Sequence, residues 1–298
     1  NPRNALQKAL DSMRQQGMSE EQIQELTEIV TWDSQPFEDR IEKLLQGQKI
    51  FEMPLEKVLS LMRELLEGGR NQDFLRLLKH FATGLHNPAV ARRAHVAEGF
   101  EQIASWVDIP GMPEPLIEVL LEILRIHYGR EKDPQVHGWT AKSVESLLWH
   151  WAQNGDPNRA EREWEALTDT VTELSLPAPW KAQATADLLV RLGSPERMEK
   201  MLSLLYLIDR DSAAKEVHPF LIMLGATSAR YLAQSLAEEQ DRTKRGRLLD
   251  ALKAMGGAAV GPLQEALDAP EWFIVRNALN VLGEIGPIGF RRNREASN

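Results

Sequence analysis

The sequence predicts an all-α fold: a right-handed α–α superhelix, a solenoid of stacked antiparallel helix pairs. Three observations lead to that class. Apolar residues recur at helical spacing along nearly the whole chain, broken by short Gly, Pro, Asn and Asp punctuation. Runs of Val, Ile and Thr at period two are missing, so almost no strand is expected. Four segments of the second half end alike, in a leucine, two residues, a second large apolar residue and a glycine.

Those endings are Leu189/Leu192/Gly193, Leu221/Leu224/Gly225, Leu252/Met255/Gly256 and Leu282/Ile285/Gly286, so the glycines are spaced by 32, 31 and 30 residues. Each interval is expected to hold two short helices. In the last two units Leu232 and Leu236 are echoed by Leu263 and Leu267. Helices of about 12 residues are marginal alone in water, so they must share a core with their neighbours. The closing glycine is expected to take the left-handed backbone that ends a helix before the chain turns.

Taken from the N-terminus, residues 1–50 read as a helical lead-in. In SEEQIQELTEIV (19–30), Ser19 is placed to cap and Gln22 to reach back, with Ile23, Leu26 and Val30 on one face. The repeat array is expected over 51–290. MPLEKVLSLMRELLEGG (53–69) has Pro54 at its start and Gly68-Gly69 at its end, the usual asymmetry of helix termini. Helix pairs follow at 71–85 with 87–106, 113–129 with 133–155, and 156–174 with 177–193. Residues 291–298 read as a polar tail. The start at Asn1 and the FRRNREASN ending suggest a trimmed piece of a longer protein.

Composition narrows the function classes. The 298 residues are 43% hydrophobic and 27% charged, enough for a sizeable core. The net charge of −9 is a poor match to a phosphate backbone, which disfavours nucleic acid as a partner. The absence of cysteine removes disulfides, thiolate metal sites and cysteine nucleophiles, and fits a reducing compartment. No apolar run approaches the roughly 18 residues of a membrane span, and the start does not read as a signal peptide. A cytoplasmic protein without membrane contact is expected.

HNPAVARRAHVAEGF (86–100) and DAPEWFIVRNALNVLGEIG (268–286) resemble the second helices of HEAT repeats, in the pattern Asp or Asn, Pro, Val-Arg, then alternating Ala and Leu. The likeness is to HEAT-repeat domains of bacterial proteins and is best over about 225–286. It implies the solenoid fold and leaves function open, because specificity in such arrays lies on variable face residues. The 31-residue period also approaches that of tetratricopeptide repeats, whose aromatic and proline pattern does not recur here.

The binding candidates, expected on the concave face of the solenoid, are Trp272, Arg276, Asn277, Arg245 and Arg92. Trp272 and Arg276 are one helical turn apart, where a guanidinium can stack on the indole. They and Asn277 read either as a ligand clamp or as packing between repeats, with Arg276 paired to Asp268 or a nearby acid. Arg92 and Arg245 open second-type helices; with Arg276 they read either as a positive stripe for an acidic peptide or phosphate, or as partners of neighbouring glutamates. In LLWHW (147–151), Trp151 reads as core, with Trp149 and His150 toward a boundary or solvent.

No residue is nominated as catalytic and no metal or cofactor is expected. The seven histidines lack metal-ligand spacing, paired carboxylates such as Glu20-Glu21 and Glu238-Glu239 sit in polar runs, and GGAAVGP (256–262) reads as a helix terminator. The function expected is a non-catalytic interaction or scaffold module holding a partner protein or peptide, one form of which is the regulatory arm of a larger bacterial signalling protein. The alternative that the HEAT resemblance implies is an enzyme of the DNA glycosylase or bilin lyase type, against which the acidic charge speaks.

Overall fold

The computed structural model describes the backbone of residues 2–108, 112–174 and 179–295. Those residues form eighteen α-helices and a few short 3-10 turns, with no strand among them. The chain divides into two compact units: Asn1–Ile103 with Ile109–Leu116, and Ala104–Asp108 with Ile117–Asn298.

The first unit holds α1 (Pro2–Gln15), α2 (Glu20–Thr31), α3 (Phe37–Leu45), α4 (Lys49–Glu52), α5 (Leu55–Glu67), α6 (Asn71–Ala82) and most of α7 (Val90–Ala104). The capping box at the head of α2 forms as the sequence predicts: Gln22 N–H donates to Ser19 Oγ at 3.2 Å, and Ser19 N–H to Gln22 Oε1 at 3.0 Å. The apolar stripe does not follow. Ile23 is buried, but Leu26 and Val30 are 36% and 68% exposed. The reason is a missing neighbour, since α2 packs mainly on α1 and the Trp32 turn, which leaves its second half uncovered.

Two reciprocal bonds end α5. Gly69 N–H donates to Leu66 O at 3.1 Å and Arg70 N–H to Leu65 O at 2.8 Å, satisfying two carbonyls that the helix leaves free. The chain then reverses into α6, and the pair encloses Val58, Leu61, Met62 and Leu65 from one side and Phe74, Leu77, Leu78 and Phe81 from the other. Helices α3 and α4 close over α6 with Ile41, Leu44 and Ile50. The stretch expected to be a lead-in thus contributes to the core of this unit.

The second unit continues through α8 (Glu114–Arg130), α9 (Pro134–Gln153), α10 (Pro157–Leu174), α11 (Pro179–Leu192), α12 (Pro195–Leu207), α13 (Arg210–Glu216), α14 (His218–Leu224), α15 (Ala226–Glu238), α16 (Arg242–Met255), α17 (Gly257–Glu265) and α18 (Trp272–Glu295). Contacts join near neighbours in sequence. Helices α9, α11, α14, α16 and α18 touch in succession, as do α12, α15 and α17, and hairpin partners such as α15 and α16 or α17 and α18 join the two rows. This nearest-neighbour stacking makes the fold an all-α array of stacked helix pairs. Its core is shared: Leu232 and Leu236 of α15, Leu248 and Leu252 of α16, Leu263 of α17 and Val281 of α18 are all buried.

The four repeat glycines are not equivalent. Gly225 (φ 58°, ψ −130°) and Gly256 (φ 56°, ψ −124°) each end one helix and begin the next, a reversal in one residue that a side chain resists. Gly193 has no positive φ; a Cβ there would lie 2.6 Å from Thr227 Cγ2, so its role is close packing. Gly286 does not end a helix, contrary to expectation. Helix α18 continues through it to Glu295, because a glycine costs a helix interior only about 1 kcal/mol and no described element follows to turn the chain.

A second correction concerns the interval 193–225, which holds three helices. Val217, at φ −129° and ψ −49°, separates α13 from α14, and Pro219 sits in the first turn of α14, where its missing N–H is harmless. Of the expected polar tail, residues 291–295 lie in α18, while 296–298 fall outside the described residues.

Candidate functional site

Trp272 is the first residue of α18 and is 69% exposed. One turn on, the Arg276 guanidinium lies over its indole, 4.9 Å from the ring centroid. The alternative pairing of Arg276 with Asp268 or a nearby acid is not found among the described residues, and the guanidinium lies over the indole instead. Leu279, a further turn along, is 54% exposed, and Phe273 beside Trp272 is partly exposed. The opposite side of the helix buries Ala278, Val281 and Leu282.

Asn277 faces the other way. With Ile274 and Ala278 it lines a small crevice against Leu236 of α15 and Leu263 of α17. The three residues therefore split: Asn277 belongs to the contact with the neighbouring pair, and Trp272 and Arg276 are exposed to solvent.

Arg245 is half-buried in the first turn of α16, whose neighbour in the row is α18. Arg92, in the first turn of α7, belongs to the other unit. Its guanidinium sits 5.0 Å over the Phe51 ring and donates to Gln48 Oε1, so it is already held within that unit.

Trp149 departs from expectation. It is buried, with its ring 5.8 Å from that of Phe220 and Arg197 of α12 stacked 5.3 Å from its centroid. Helices α12 and α14 cover a side of α9 that the helix's own apolar stripe does not reveal. His150 is half-buried, its Nδ1 2.6 Å from Asp108 Oδ1, and Gln153 donates to the other oxygen of that carboxylate at 2.9 Å.

Sequence patterns do not reveal a buried polar cluster where α8 turns into α9. His127, Glu131, His137 and Lys181 are each at most 6% exposed. Glu131 Oε1 accepts the amide N–H groups of Lys132 and Asp133, both at 2.8 Å, and Oε2 lies 3.3 Å from His127 Nε2. Lys181 Nζ donates to Gly129 O at 2.6 Å, and burial lowers its pKa against the opposing pull of Glu131. His137 lies between Tyr128, centroid to centroid 4.2 Å, and Trp180 at 5.0 Å; neither of its ring nitrogens has a hydrogen-bond partner among the described residues. Burial first, then the nearby Lys181 and His127, push its pKa down to about 4, so it is neutral near pH 7.

The sequence suggests no carboxylate in a buried setting, and Glu131 departs from that. It stands in the polar run GREKD, but α9 and α11 close over it. The one local signal is the His127/Glu131 spacing of a single helical turn. Among the described residues no three His, Asp or Glu converge as metal ligands.

In the first unit an open cleft of about 890 Å³ runs among α1, α2, α3 and α4. Charges along it pair with one another, Arg14 with Glu20 at 2.8 Å and Lys49 with Glu28 at 2.6 Å.

No protein-family model and no curated protein sequence matches the chain. Solved structures with partial likeness include an archaeal HEAT-like repeats protein from Thermococcus onnurineus NA1, at 14% identity over 84% of this chain and 97% of that one, TM-score 0.36. An engineered protein is 15% identical over 70% and 96% of the two chains, TM-score 0.32. Human deoxyhypusine hydroxylase, solved with glycerol, is 14% identical over 84% and 96%, TM-score 0.24. These likenesses carry nothing about ligand or reaction.

Proposed function

We propose that the chain is a non-catalytic binding or scaffold module that holds a partner protein or peptide on the outer face of its helices. The observation that supports this most is the Trp272–Arg276 stack on α18, with Leu279 exposed along the same face. Large exposed apolar side chains grouped on one surface mark contact sites, and Trp and Arg are the residues that carry most energy at such contacts. The matching partner offers an apolar side chain for the indole and an acid for Arg276. Arg245, on the adjacent helix of the row, extends the same preference.

The glycosylase reading would need a carboxylate placed between tryptophans in a basic groove. The buried candidate, Glu131, spends one oxygen on two backbone amides and turns the other to His127. No described helix is long and apolar enough to cross a membrane; the lack of cysteine supports a cytoplasmic setting.

Quantitative affinity capture with the wild type, Trp272→Ala, Arg276→Glu and Arg245→Glu tests the reading. A partner held by the wild type is expected to be lost from the two α18 variants and weakened by Arg245→Glu. Equal capture by all four proteins would overturn it.

A further inference from the structure

A cavity of about 230 Å³ opens among α13, α14 and α16, on elements other than the outer face of α18. Its polar lining is Arg210, His218, Arg247 and Asp250, and Ala213 and Ala214 supply an apolar side. Arg247 Nη2 donates to Ile208 O at 2.7 Å, which fixes the guanidinium, while its Nη1 is buried and meets no acceptor among the described residues. Arg210 Nε lies 2.9 Å from Asp250 Oδ2. His218 is buried, and that burial lowers its pKa, with Arg247 adding to the effect and Asp250 opposing it. Near pH 7 the ring is neutral, so two guanidinium groups face one carboxylate and a single positive charge is left over.

We propose that this cavity binds a carboxylate group, delivered by a small organic acid or by the acidic side chain of a peptide. One negative charge neutralises the surplus, and a carboxylate oxygen supplies the acceptor that Arg247 Nη1 lacks, in a charge-assisted bond. Neutral His218 adds one ring N–H as a second donor. Asp250 in the wall disfavours an ion of higher charge such as phosphate. The volume matches roughly eight water molecules at about 30 Å³ each, room for a short carbon chain against Ala213.

The test is a titration of the full chain, methyl-labelled at alanine, with butyrate, with inorganic phosphate and with a short glutamate-containing peptide. Saturable shifts of the Ala213 methyl resonance are expected with butyrate or with the peptide, at a dissociation constant of about 1 mM or tighter and about tenfold tighter than for phosphate. The arm that binds more tightly identifies the source of the carboxylate. Arg247→Met is expected to weaken binding about tenfold or more. Because Arg247 also holds Ile208, Ala214→Leu serves as the second variant: it fills the cavity from an exposed helix position, keeps every charge, and is expected to abolish the shifts without lowering Tm. No saturable shift with either carboxylate, undiminished binding to Ala214→Leu, or phosphate binding as tight as carboxylate binding would each overturn the proposal.

Discussion

The guanidinium of Arg276 covers the indole of Trp272 on a side of α18 that meets no other described element of the unit, while Asn277, the next residue, turns into the contact with α15 and α17. An exposed cation–π pair contributes only about 0.5–1 kcal/mol. Trp272→Ala is therefore expected to lower unfolding free energy by no more than about 1 kcal/mol, measured by urea titration, while removing partner capture. The emission lost on Trp272→Phe should be that of a water-exposed indole. A destabilisation several times larger would place Trp272 in a structural contact instead.

Gly225 and Gly193 occupy the same place in the repeat for different reasons, and the difference is measurable. At Gly225 nothing lies within 4 Å of an added Cβ, so alanine meets only backbone strain, about 1–3 kcal/mol at a φ of 58°. At Gly193 the added methyl meets Thr227 at 2.6 Å. Thr227→Ala should recover much of the loss in Gly193→Ala and none of the loss in Gly225→Ala. Rescue of both, or of neither, would remove the distinction.

His137 makes the protein sensitive to acid. Its pKa is about 4 in the folded chain and near 6.5 in the unfolded one, so above pH 6.5 both states hold it neutral and it adds no pH dependence. Below that the unfolded chain takes up the proton first, and stability falls until the folded form also protonates near pH 4. The shift corresponds to about 3 kcal/mol lost across this window. His137→Leu, which keeps an apolar side chain between Tyr128 and Trp180, should show a shallower decline between pH 6.5 and 4 than the wild type. Parallel curves would mean that other groups account for the acid response.

How far the fold is legible in the sequence follows the range of the forces involved. The Ser19/Gln22 cap and the Gly68-Gly69 ending are set by residues within one turn of each other, and both form as the sequence predicts. The i to i+4 spacing is likewise enough to bring Arg276 onto Trp272. The burial of Trp149 and Glu131 is not legible because the covering residues lie on other helices, Phe220 and Arg197 over one, the α11 lysine Lys181 near the other. Leu26 and Val30 depart in the opposite sense, since a helical stripe specifies a face to be covered but does not supply the cover. The cavity around Arg247 draws on three helices and has no local pattern at all.

The same kind of non-local cluster yields the last expectation. Glu131 both accepts two amide N–H groups and carries the charge that favours protonated Lys181 against burial. Glu131→Gln keeps an oxygen for the amides but removes the charge that opposes the effect of burial on the Lys181 ammonium. That loss is expected to cost about 1–3 kcal/mol. Lys181→Met alone removes the cation and leaves Glu131 with its amides and His127, so it should cost less. If the two act on each other through charge, the double variant should be more stable than the sum of the single losses predicts, by about 1–3 kcal/mol in a urea-denaturation cycle. Strict additivity would show that Glu131 and Lys181 do not act on each other through charge.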